Sequence, residues 1–228
     1  MNNLIFLDPL ELDKFEGQNY YRDHSIKYLK VQEYIFLEKS IDNLFHKMMI
    51  RFLFETAARI SEALELKVKD IDLKYNKATL LNLKQKEKNN AKREVVISNE
   101  LLNMILIHIN TQKLEKNDYV FCRVTAKGKK QFKRNSIYER VKKDAFKYLG
   151  YDWVTPHTFR HSRAIHLLSE SVDIVKVQRF LGHKSLLNTL IYLQYTNRDI
   201  DKSVVADKST APKQKEPLNS SNLKGSVS

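Results

Sequence analysis

From about Ser25 the apolar residues fall at helical spacing. Tyr28, Val31, Tyr34, Ile35 and Leu37 come first, and residues 44–54 follow as a strongly apolar stretch. Positions three and four apart share a helix face, so both runs predict helices. Ser61 is placed to cap a further helix, with Leu64 and Leu66 in its first turns. The period then shortens. Residues 78–83 and 94–97 are brief β-prone runs, and the polar, basic stretch 84–93 between them predicts a hairpin with a long lysine-rich connection. Residues 99–110 are apolar enough for a buried helix, and residues 136–149 predict another that stops at Gly150.

The clearest punctuation comes next. Thr155 suits an N-cap and Pro156 the first helical position, after which Ala164, Ile165, Leu168 and Val172 trace one apolar face. Asp173 is placed to cap a following helix with the face Ile174, Val177 and Leu181, and Gly182 ends it. Thr189 marks the start of one more helix, which carries Tyr192. The expected fold class is α+β: mainly helical, with a small antiparallel sheet. Residues 1–24 form an N-terminal arm, residues 25–202 the main domain, and residues 203–228 a flexible polar tail that cannot bury enough to fold alone.

Composition narrows the partners. Forty Lys and Arg stand against 27 Asp and Glu in 228 residues, a formal charge of +13, which draws polyanions such as nucleic acid. A lysine-rich solvated surface is the plainer account of the same excess. One cysteine, Cys122, excludes an intramolecular disulfide and fits a reducing cytosol. No basic-then-apolar leader and no membrane-length apolar run is present in the sequence, so the expected location is cytoplasmic, at the nucleoid.

The candidate chemistry lies in a few separated residues: Arg59, then His157 and Arg160, then His183, then Tyr192. Displacement at a phosphodiester needs charge on the non-bridging oxygens, a nucleophile, and a proton for the leaving oxygen. An arginine fork gives phosphate two parallel hydrogen bonds and keeps its charge. Arg160 also falls in the first turns of a helix whose N-terminal end favours anions, with His157 three residues earlier on the same face. A zinc pair at His157 and His161 is the competing account. Thr158 stands where a zincin has glutamate, and no third ligand follows. His161 and His166 therefore read as structural, and Tyr195 as a rival to Tyr192.

The stretch Thr155-Pro-His-Thr-Phe-Arg-His, with Leu-Gly-His183 23 residues beyond Arg160 and Tyr192 nine further on, resembles the tyrosine recombinases of the phage integrase family. Thr56-Ala-Ala-Arg-Ile-Ser-Glu62 resembles that family's first arginine box. The resemblance implies the catalytic-domain fold and a role for each residue. Tyr192 is the nucleophile that leaves a 3′-phosphotyrosyl link, and Arg59 and Arg160 clamp the phosphate. His157 assists proton transfer, His183 meets a non-bridging oxygen, and Glu62 orients the first box. A hairpin lysine protonates the 5′-oxygen. Lys86 matches best and Lys84 next, while Lys88 shares their alternation.

The implied activity cuts and rejoins two duplexes through a four-way junction without metal, ATP or other cofactor. Its partners are double-stranded DNA at a specific site, a homo-tetramer on the synapsed DNA, and accessory DNA-bending proteins; the segment 199–205 packs on a neighbouring subunit. A non-cleaving DNA-binding regulator on the same fold is the alternative, and a metal-dependent nuclease a third. Two departures stand out: Ala57 replaces the usual glycine of the first box, and Arg59 comes too early for the family's usual N-terminal domain, as in the minimal fimbrial invertases.

Overall fold

The computed structural model describes residues 26–81 and 92–196. The proposed arm and tail, and the hairpin connection with Lys84, Lys86 and Lys88, lie outside the described residues. Among those described the named elements are eight α-helices and five short strands, and residues 193–196 are helical as well. The named elements are α1 (Val31–Ser40), α2 (Leu44–Thr56), α3 (Ile60–Leu64), β1 (Ile71–Asp72), β2 (Lys77–Leu81), β3 (Lys92–Val96), α4 (Asn99–Thr111), β4 (Cys122–Thr125), β5 (Gly128–Gln131), α5 (Arg134–Leu149), α6 (Pro156–Ser169), α7 (Ile174–Leu181) and α8 (Leu187–Leu190). The expected α+β class holds. None of the described helices is long and apolar enough to cross a membrane.

Local chemistry sets most boundaries. Asn43 opens α2 by accepting the His46 amide at 3.1 Å, and Ser98 opens α4 by accepting the Leu101 amide at 3.1 Å. Glu55 of α2 holds that second cap in place, taking the Ser98 amide at 2.9 Å and its hydroxyl at 2.7 Å while pairing with Arg51. Pro156 takes the first position of α6, as its fixed φ favours. Gly150 and Gly182 end α5 and α7 in the left-handed conformation.

Two expectations are corrected, and one element has no counterpart among them. Ser61 lies inside α3, whose cap is Arg59, because Glu62 reaches back to the Arg59 amide at 3.1 Å. Tyr192 lies in a turn two residues beyond α8 rather than within that helix. The hairpin β4–β5 was not expected, since its residues are mostly exposed and basic on both faces and show no apolar alternation.

Strands β1, β2 and β3 form an antiparallel sheet in that order, with Ala78 opposite Val95 and Leu80 opposite Arg93. Side chains alternate across a sheet, so Ala78, Leu80, Val95 and the following Ile97 reach the main core. Arg93 belongs to the same inner face, two residues before Val95. The main core gathers α1, α2, α4, α5 and this sheet around Phe52, Phe121 and Phe159. A second, smaller cluster unites Ala57, Ala164, Ile165, Val177, Leu181, Tyr192 and Tyr195, and Phe180 packs against both. The candidate site occupies the seam between them.

Candidate active site

The seam begins where α2 ends. Ala57 closes that helix at φ 48°, in the left-handed region where a Cβ costs roughly 1–2 kcal/mol. The turn sends the chain directly into Arg59, the cap of α3. Glu62, only 1% exposed, accepts the Arg59 amide at 3.1 Å, the Arg59 guanidinium at 2.5 Å and the Arg93 guanidinium at 3.2 Å. Burial alone would raise its carboxyl; Arg93 and the two Arg59 donors outweigh that and hold it below the usual range.

Arg160 enters from α6. It is 3% exposed and spans two distant helix ends, donating to the Ala57 carbonyl and to the Leu181 carbonyl at 2.6 Å each. Arg93 makes the adjacent tie from β3, donating to the Thr56 carbonyl at 3.2 Å and the Phe180 carbonyl at 2.7 Å. The two guanidinium groups thus cross-tie consecutive carbonyls of the same two helix C-termini. Those carbonyls are the negative ends of α2 and α7, so positive charge belongs there. Burial, and then Arg59, push the Arg160 group down to about 10, which leaves it charged at neutral pH. Three guanidinium groups against one carboxylate leave two positive charges over.

His183 follows the Gly182 turn. Its Nδ1 lies 2.9 Å from the hydroxyl of buried Thr189, and its backbone amide donates to the Gln178 carbonyl at 3.1 Å. Burial first, then Arg160 and Arg59, lower its imidazole to about 4, so the ring is neutral at physiological pH. His157 is the exposed member, with its ring centroid 6.1 Å from that of His161. Tyr192 is 2% exposed, and its hydroxyl lies 2.9 Å from His161 Nδ1. Burial raises the phenol, against the pull of Arg160 and then Arg59.

Arg59, His157, Arg160, His183 and Tyr192 therefore converge on one site, with Glu62 beneath the first arginine. The expected lysine, Lys86 or Lys84, lies outside the described residues. Tyr195 is set apart from Tyr192: its hydroxyl accepts the Ile26 amide at 2.6 Å. His166 has a structural place, meeting the Leu29 carbonyl through Nε2 at 2.9 Å. His161, read as structural, has its Nδ1 against the Tyr192 hydroxyl, a place at the site that the sequence did not assign it. Arg93 is the other residue not expected here. Its period-two spacing with Val95 and Ile97 carried the signal, because it puts an arginine on an inward face.

An arrangement of this kind can receive a doubly charged anion between fixed donors and present a phenol to it. The phage integrase family matches residues 29–198 of the chain. The tyrosine recombinase XerA of Pyrococcus horikoshii is 32% identical over 163 residues, covering 72% of this chain and 55% of the relative. Tyrosine recombinase XerD of Staphylococcus saprophyticus is 30% identical over 159 residues, covering 68% of this chain and 52% of that one. The chain thus spans about half the length of these curated relatives.

Among solved structures, a XerA recombinase superposes with TM-score 0.67 at 24% identity, over 82% of this chain and 66% of that one. A XerH site-specific recombinase bound to difH substrate in a pre-cleavage complex gives 0.63 at 26% identity, over 74% and 50%. The fold is that of the tyrosine recombinase catalytic domain. This chain belongs to the phage integrase family.

Proposed function

We propose that the chain is a site-specific DNA recombinase that cleaves and rejoins duplexes through a 3′-phosphotyrosyl intermediate. The observation that carries this reading is the burial of Arg160 beside Arg59 and Tyr192, with two positive charges left over. A scissile phosphodiester brings one negative charge and its pentacoordinate transition state a second. Donors already fixed by the fold favour the second state, because they need no reorganisation when the charge develops. Tyr192 attacks phosphorus, Arg59 and Arg160 hold the non-bridging oxygens, and His183 donates to one of them. His157 contacts the phosphate from the exposed rim, and Glu62 keeps Arg59 in register. Lys86 protonates the departing 5′-oxygen.

The phosphotyrosyl bond keeps the energy of the broken one, so religation needs neither ATP nor metal. Two duplexes exchange strands through a four-way junction held by a homo-tetramer, with DNA-bending proteins as accessory partners. The XerH site-specific recombinase bound to its difH substrate in a pre-cleavage complex supports a specific recombination site as the substrate.

The test starts from a randomised duplex pool. Site selection on that pool supplies the bound sequence, and a nicked duplex of that sequence traps the product in the presence of chelator. Wild type and Tyr195→Phe are expected to give a covalent adduct, and Tyr192→Phe none. Binding without adduct in the wild type would identify a non-cleaving regulator, and cleavage abolished by chelator a metal-dependent nuclease.

A further inference from the structure

We propose that His161 is a further catalytic residue of this site: its Nδ1 accepts the Tyr192 hydroxyl proton as the phenolic oxygen attacks phosphorus, and returns it on religation. The inference rests on the recombinase reading above and assigns the proton's destination within it.

Geometry carries the assignment. Nδ1 and the Tyr192 oxygen are 2.9 Å apart, within the reach required of a general base, and the ring centroids are 5.7 Å apart. His161 is the residue after Arg160 on α6, so the base and the phosphate clamp are carried by the same turn of one helix. That helix is anchored on both sides of the site. Ser162 Oγ accepts the Leu29 amide at 2.8 Å, and Arg160 grips the ends of α2 and α7. His157, the histidine on the exposed rim, stands one helical turn away.

The state of the ring agrees. Burial, then His157 and Arg160, lower the His161 imidazole to about 4, so it is neutral at physiological pH and one ring nitrogen keeps its lone pair. Such a weak base does not deprotonate a resting phenol, whose own affinity for the proton is raised by burial. It becomes sufficient once the oxygen–phosphorus bond is forming, because an oxygen bonded to phosphorus holds its proton far less tightly. The phenol therefore stays protonated until DNA is in place. In the balanced step the Tyr192 oxygen–phosphorus bond forms and the phosphorus–5′-oxygen bond breaks. The phenolic proton passes to Nδ1, and the 5′-oxygen leaves as a hydroxyl with a proton from the hairpin lysine ammonium. Religation reverses each transfer.

Wild type, His161→Ala and His161→Gln are compared on the nicked duplex, alongside DNA affinity and melting temperature. Adduct formation is expected to slow on the order of 10²- to 10⁴-fold in both variants, the usual scale for a lost general base. DNA affinity should be retained, and imidazole added to His161→Ala should restore part of the rate. The loss should persist on a duplex with sulfur at the 5′-bridging position, which leaves without an acid. Recovery on that substrate would move His161 to the leaving-group side and overturn the assignment. An unchanged rate, or a loss that tracks DNA affinity and melting temperature without imidazole rescue, overturns it too. If His161→Ala does not fold, His161→Gln decides alone: a slow rate with retained affinity supports the base, and a wild-type rate refutes it. Absence of adduct in the wild type instead removes the recombinase reading itself.

Discussion

Replacing Glu62 with alanine is expected to destabilise the fold far more than one surface carboxylate ever does. The side chain is 1% exposed and is held by three donors from Arg59 and Arg93. Without it, Arg59, Arg93 and Arg160 face one another in a buried seam with no counter-ion. Breaking a buried ion pair by removing one partner costs about 3–5 kcal/mol, since the remaining charge stays desolvated. For a domain of this size each kcal/mol lowers the melting temperature by about 2–4 °C, so the expected fall is roughly 6–20 °C.

Urea unfolding followed by far-UV circular dichroism measures the loss directly. The midpoint should drop with the slope unchanged, since the surface exposed on unfolding is the same. Glu62→Gln keeps the shape and an acceptor and should lose less, about 1.5–3 kcal/mol, the scale of a hydrogen bond to a charged group. Sulfate should restore part of the Glu62→Ala loss, and more than it adds to wild type, by supplying the missing negative charge. A loss below about 1 kcal/mol, or no preference for sulfate, would refute the view that Glu62 balances the arginine cluster.

Three further outcomes follow from the same structure. Arg93→Lys should behave nearly as badly as Arg93→Ala in urea unfolding, because an ammonium cannot span the Thr56 and Phe180 carbonyls and Glu62 together. Ala57→Gly should raise stability by about 0.5–1 kcal/mol in the same assay, by relieving the left-handed alanine against glycine's greater unfolded-state freedom. Stability should fall on acidification between about pH 6.5 and 4: His166 is lowered to about 4 by burial, so the unfolded chain takes up its proton first. The His166 contribution to that slope is at most about 1.4 kcal/mol per pH unit, and His166→Gln should flatten the profile of melting temperature against pH.

How much of this was legible in the sequence depended on where each signal resides. The start of α6 at Thr155-Pro156 and the stops at Gly150 and Gly182 are local, and each was found where expected. The grouping of Arg59, His157, Arg160, His183 and Tyr192 was legible through the resemblance of their boxes to the phage integrase family. The cap of α3 was misplaced because Ser61 is a good capping residue in isolation, while Glu62 closes the turn onto Arg59 instead. Hairpin β4–β5 was missed because it carries no buried face to impose alternation. The partners of Arg93 and Arg160 are main-chain carbonyls more than 20 residues away, which no local pattern encodes. The Tyr192–His161 contact closes over 31 residues and depends on the turn after α8.

That reliance on carbonyls has a consequence for how the chain can change over time. Every peptide unit offers the same acceptor whatever side chain it bears, so the two arginine ties do not specify the residues at positions 56, 57, 180 and 181. Mutations there can alter packing or strain, as alanine does at 57, without removing a partner from Arg93 or Arg160. Only an edit to the main chain itself, such as an amide-to-ester exchange that weakens the carbonyl as an acceptor, reaches the tie directly. The geometry of the clamp is thereby insulated from sequence drift along the very segments that hold it.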